Sequence, residues 1–157
     1  MGLKKAHFST MLIHRNKPNE KGGAMIIQDG KKLKDIQREF SSRFAYLKIE
    51  FFSGHHDAGK ASPMSTKLDR EKTIGEVRLK HTEGDFEVVE EMSVKEFEQT
   101  FFDKYGLNAQ VFRRSGNIWM QTTATDSWTL EEQNRKGGSS ELFFNEKYNT
   151  NDSYLQE

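Results

Sequence analysis

With 157 residues, 34% hydrophobic content, a mean hydropathy of −0.86 and no net charge, the chain suits one domain with a modest core and polar ends. It has no cysteine, which excludes disulfides, thiolate zinc sites and thiol catalysis together. No stretch approaches the roughly 18 consecutive apolar residues of a membrane span, so the expectation is a cytoplasmic protein without a membrane partner.

Charge is unevenly placed. Residues 1–24 hold five Lys/Arg and one Glu, and residues 138–157 hold one Lys and four Asp/Glu, which leaves 18 positive and 19 negative side chains between them. A neutral centre argues against a duplex-binding surface, because phosphate contacts need concentrated Lys and Arg.

Residues 1–23, polar and without sustained period, read as a mobile leader, with folding expected to begin near Met25. Ala24 to Gln28 reads as a short strand. From Lys31 to Phe44, the residues Leu33, Ile36, Phe40 and Phe44 recur at spacings of three, four and four, the stripe of an amphipathic helix. Leu47 to Phe51 alternates as a half-buried strand does.

Residues 53–72 form a long polar loop containing Gly54 to Ser62, GHHDAGKAS. Gly54, Gly59 and Lys60 match the outline of a phosphate-cradling loop. Position 61 is alanine rather than the serine or threonine that would hold magnesium, and Pro63 follows where a helix should start, so an ordinary polar loop is the reading taken. His55, His56 and Asp57 are the candidate metal ligands. Adjacent histidines on an extended segment point apart, so a site would need a further ligand such as His81, and exposed loop histidines are the preferred reading. Thr73 to Val77 reads as an extra strand.

The helical spacing then returns 61 residues on, in Val94, Phe97, Phe101 and Tyr105. Ser93 and Glu96 form a capping box, Met92 and Phe97 are placed for a hydrophobic staple, and Gly106 suits the left-handed position after the last turn. Phe86 to Val89 and Ala109 to Arg113 supply the flanking strands. Arg114-Ser115-Gly116-Asn117 reads as a turn into a strand Ile118 to Thr122. Asp126 or Ser127 then caps a short helix through Asn134, closed by Gly137-Gly138, and residues 138–157 read as an acidic polar tail.

The whole predicts an α+β fold: a ferredoxin-like two-layer sandwich over residues 24–137, built from two tandem β-α-β units with an added C-terminal hairpin strand and short helix. If Leu47, Ile49 and Phe51 face the helices, then Tyr46, Lys48 and Phe52 face away, joined by Phe112, Arg114 and Trp119. These six are the candidate ligand-binding residues. The alternative is that the last helix, through Trp128 and Leu130, lies across that face and covers it.

The segments LKDIQREF, YLKIEFF and GLNAQVFRRSGNIWMQTTATDSWTLEEQN resemble a family of small, uncharacterised bacterial proteins over about residues 25–137. The resemblance implies no activity, cofactor or catalytic residue.

Without a catalytic constellation, the leading expectation is a non-enzymatic binding or assembly module that uses no cofactor and takes an unknown protein, or a second copy, on the aromatic face. The second is single-stranded nucleic-acid binding there, with Arg113, Arg114 and Lys48 supplying charge. The third is a metal-dependent enzyme using His55, His56 and Asp57.

Overall fold

The computed structural model describes residues 23–53 and 66–152; the leader and the GHHDAGKAS loop lie outside the described residues. In chain order the elements are β1 (Met25–Ile27), α1 (Leu33–Arg43), β2 (Leu47–Phe52), α2 (Ile74–Val77), β3 (Phe86–Val88), α3 (Val94–Tyr105), β4 (Asn108–Ser115), β5 (Ile118–Gln121) and α4 (Leu130–Asp152), with a 3-10 turn at Thr123–Thr125.

The two apolar stripes account for most of the core. Leu33, Ile36, Phe40 and Phe44 of α1 and its cap, and Val94, Phe97, Phe101 and Tyr105 of α3, are all buried, together with Leu47, Ile49, Phe51, Ala109 and Val111 from one face of β2 and β4. Aromatic rings join the layers: Phe40 meets Phe97 at 5.6 Å between centroids, Phe51 meets Phe101 at 5.2 Å, and Phe86 meets Phe97 at 5.7 Å. Such pairs favour offset and tilted geometry and add about 0.5–1.5 kcal/mol each beyond burial. The ends of α3 follow local chemistry. Ser93 Oγ accepts from the Glu96 amide at 3.0 Å while Glu96 Oε2 accepts from the Ser93 amide at 2.8 Å, and Gly106 takes φ +68° to close the last turn.

The strands form two antiparallel sheets, β1-β3 and β2-β4-β5, rather than the single sheet of a ferredoxin-like sandwich. In the first, Met25 opposes Val88 and Ile27 opposes Phe86. In the second, Leu47 opposes Arg113, Ile49 opposes Val111 and Phe52 opposes Asn108. The α+β class stands. The sheet divides because β2 pairs with β4, whereas the paired β1 and β3 belong to a sheet of their own.

The four described helices begin in reciprocal pairs. Leu33 and Lys34 donate their amides to the carbonyls of Lys72 and Arg70 at 2.9 and 3.0 Å, and Ile74 and Gly75 donate theirs to Lys31 and Asp29, both at 3.0 Å. Val94 and Lys95 donate in the same way to Trp128 and Asp126 at 3.0 and 2.8 Å, while Leu130 and Glu131 donate to Met92 and Glu90 at 2.9 and 3.1 Å. A helix leaves its first amides without partners inside itself. Here the turn before another helix satisfies them, and each first residue, Leu33, Ile74, Val94 or Leu130, is fully buried.

Two expected elements differ. Thr73 to Val77 is not a strand but one turn of helix, because Thr73 and Glu76 complete a capping box of their own: the Thr73 hydroxyl accepts from the Glu76 amide at 3.2 Å, and Glu76 Oε2 accepts from the Thr73 amide at 2.8 Å. The last helix does not close at Gly137-Gly138 but runs on to Asp152. The glycines serve a close approach instead. A Cβ at Gly138 would lie 2.8 Å from the Tyr46 ring, and one at Gly137 2.8 Å from Tyr46 Cβ, so only glycine lets α4 cross the end of the sheet at that distance.

Two outcomes follow for thermal melts. Phe40→Ala or Phe101→Ala should each cost about 3–5 kcal/mol, the usual loss for a fully buried ring. Gly138→Ala should destabilise by about 1–3 kcal/mol through overpacking against Tyr46, although alanine is the better helix former. In a Tyr46→Ala background the same change should become neutral or stabilising; a loss that persists there would mean Tyr46 is not the obstacle.

Candidate functional site

The outer face of β2-β4-β5 gathers four of the six residues marked by alternation. Lys48 stands opposite Phe112, and Arg114 opposite Trp119. The Lys48 ammonium lies 5.3 Å from the Phe112 ring centroid and 5.2 Å from that of Trp119, and the Arg114 guanidinium lies 5.3 Å from the same Trp119 ring. Each such contact contributes about 0.5–1 kcal/mol at an exposed site and holds the cation over the ring. Glu141 of α4 comes within 3.7 Å of Arg114 Nε. Among the described residues no carboxylate pairs with Lys48.

The other two candidates are placed differently. Tyr46 is partly exposed but packs its ring against the Gly137-Gly138 step, and its amide donates to Asn134 Oδ1 at 2.9 Å. Phe52, on the same face by alternation, is 1% exposed and so offers no accessible surface. Leu130 and Trp128 do not cover the outer face. Leu130 is in the core, and Trp128 packs against the guanidinium of Arg113, which points to the opposite face.

That Arg113 is buried, 7% exposed, with its Nη1 donating to Gln133 Oε1 at 2.8 Å. It cannot contact a phosphate on the outer face, so one of the three charges assigned to nucleic-acid binding is removed. β5 forms the edge of the sheet and carries the exposed Ile118 and Trp119. The assembled surface is an aromatic floor topped by two cations beside β5, which among the described strands pairs on one side only, a combination suited to a carboxylate-bearing extended segment.

A polar group missed in the sequence lies at the border between α3 and β4. Glu98 Oε1 accepts from the Val111 amide at 3.2 Å and from Gln110 Nε2 at 3.4 Å, while the fully buried Gln110 has no partner for its Oε1 among the described residues. Loss of hydration pushes the Glu98 carboxyl up to about 7, and the nearby negative charge of Asp126 adds to the rise, against the lowering by the Val111 amide. The sequence signal was a carboxylate one position beyond Phe97, on the flank of the buried stripe.

Among the described residues no group of three or more His, Asp or Glu is placed to hold a metal ion. His55, His56 and Asp57 lie outside the described residues. Likewise no described helix is long and apolar enough to cross a membrane. Compared with known proteins, the chain matches no family model, no curated protein and no solved structure.

The raised carboxyl gives a pH dependence of definite sign. Folded Glu98 holds its proton to about 7 whereas an unfolded glutamate releases it near 4.5, so this group's stabilising contribution is complete below about pH 4.5 and is lost as pH rises to about 7. Glu98→Gln, which cannot ionise, should match the parent near pH 4.5 and exceed it by about 1–2 kcal/mol at pH 8, after allowance for partial solvent screening. Urea titrations at the two pH values measure this. An equal effect at both would assign Glu98 an ordinary carboxylate role.

Proposed function

We propose that the chain is a binding module whose contact surface is the outer face of β2-β4-β5, and that its ligand is an extended, acidic protein segment. The supporting observation is Lys48, held over Phe112 and Trp119 and, among the described residues, without a carboxylate partner, next to Arg114 and to the edge of β5 that no described strand pairs with. A segment added to that edge would gain main-chain hydrogen bonds, while alternate acidic side chains meet the two cations. Stacked nucleobases are the weaker fit. Base stacking needs a bare ring face, and both Lys48 and Arg114 stand over Trp119.

The test is a titration of the full chain with a decapeptide alternating Glu and Val, followed by tryptophan fluorescence, with Trp119→Phe as the blank for the Trp128 signal. Saturable binding that weakens with salt and falls at least tenfold in Lys48→Ala/Arg114→Ala is expected. Equal binding of a Lys/Val peptide would remove the charge argument. Tighter binding of oligothymidylate would replace the reading with nucleic-acid recognition, and concentration-dependent dimers broken by Trp119→Ala would make a second copy the ligand.

A further inference from the structure

Arg113 is a buried cation that its neighbours among the described residues do not neutralise. Its Nη1 donates to the uncharged Gln133 and its Nη2 reaches Met120 Sδ at 3.5 Å, while Nε has no partner among the described residues. Burial accordingly holds the guanidinium below the ordinary arginine pKa. It also stacks on Trp128, 5.4 Å from the ring centroid. A charge removed from water without a counterion favours an anion close by.

Trp128 is only partly buried, and it borders a groove of about 330 Å³ along the exposed side of α4. Glu132, Arg135, Lys136 and Ser139 complete the lining, at the spacing of three and four that sets side chains on one helical face. Two cations face one carboxylate, and Arg113, stacked on Trp128, adds a third positive charge. Among the described residues neither Arg135 nor Lys136 has a carboxylate partner. The Ser139 hydroxyl donates to the Arg135 carbonyl at 3.1 Å, so the two cations are left to meet an anion.

The order of these groups is informative. Trp128 precedes the first turn of α4, Glu132 lies on that turn, and Arg135 and Lys136 follow about 5–6 Å further along the axis. Ring, carboxylate and cations thus succeed one another as base, ribose and phosphate do in a nucleotide. Among the described residues one cation stands over Trp128, against two over Trp119, which leaves a ring face for a base. The groove's volume lies at the small end of the range for small-molecule sites, as a mononucleotide requires.

The geometry points to a nucleoside monophosphate site, with the base stacked on Trp128, the ribose hydroxyls donating to Glu132, and the phosphate held between Arg135 and Lys136. Phosphate alone would leave the ring unused and would be repelled by Glu132. Because Arg113 and Trp128 lie on the face of the sheet opposite Lys48 and Arg114, this site does not depend on the surface assigned to an acidic segment.

Adenosine monophosphate (AMP) is the probe, added to the full chain carrying Trp119→Phe so that Trp128 is the remaining tryptophan. Saturable fluorescence quenching below millimolar AMP is expected, with adenosine and inorganic phosphate each at least tenfold weaker. Arg135→Ala/Lys136→Ala, at two exposed positions, should weaken AMP at least tenfold, whereas Lys48→Ala/Arg114→Ala should leave it unchanged. Glu132→Ala separates recognition of ribose from simple charge. It should weaken AMP, although removing a negative charge beside a phosphate would by itself tighten binding. Equilibrium dialysis of the unaltered chain against labelled AMP should return the same constant and one site per chain. Adenosine binding as tight as AMP, binding that survives Arg135→Ala/Lys136→Ala, or binding lost in Lys48→Ala/Arg114→Ala would overturn the site, as would an absence of saturation by about 10 mM.

Discussion

Every described α-helix of this fold starts by giving its first two amides to the turn that precedes another helix. Those eight donors are the ones a helix cannot satisfy internally, and leaving any of them buried without a partner would cost about 1–3 kcal/mol. The pairing fixes where each first apolar residue enters the core. Leu33, Ile74, Val94 and Leu130 are accordingly all fully buried. α2, one turn long, combines this arrangement with its own Thr73–Glu76 capping box.

What the sequence disclosed follows from this hierarchy. The stripes Leu33-Ile36-Phe40-Phe44 and Val94-Phe97-Phe101-Tyr105 were legible because helical period is a local property, and so were the alternating strands that gathered Lys48, Phe112, Arg114 and Trp119 on one face. The Thr73-Glu76 capping box was also written in the sequence, within a stretch whose β-branched Thr73, Ile74 and Val77 suit a strand equally well. Gly137-Gly138 misled for a different reason. A glycine pair after a helical stretch reads as a stop, and only the position of Tyr46, some ninety residues earlier, shows that the pair permits contact instead. Burial of Phe52 and the environment of Glu98 likewise depend on neighbours distant in sequence.

The candidate surface owes its character to the same geometry. Arg113 and Arg114 are adjacent in sequence, yet the pleat sends one into a buried contact with Gln133 and Trp128 and the other over Trp119. The outer face thus carries Lys48 and Arg114 as cations, Glu50 paired with Lys67 at 3.1 Å, and Glu141 of α4 beside Arg114. The length of α4 matters here, because a helix closed at Gly138 would not carry Glu141 to that position.

Amide hydrogen exchange followed by NMR tests the pairing of helix starts directly. The account predicts that Leu33, Lys34, Ile74, Gly75, Val94, Lys95, Leu130 and Glu131 exchange as slowly as amides in the middle of α1 and α3, although the first amides of a helix ordinarily exchange with little protection. Rapid exchange at these eight positions, with the helix interiors protected, would contradict it.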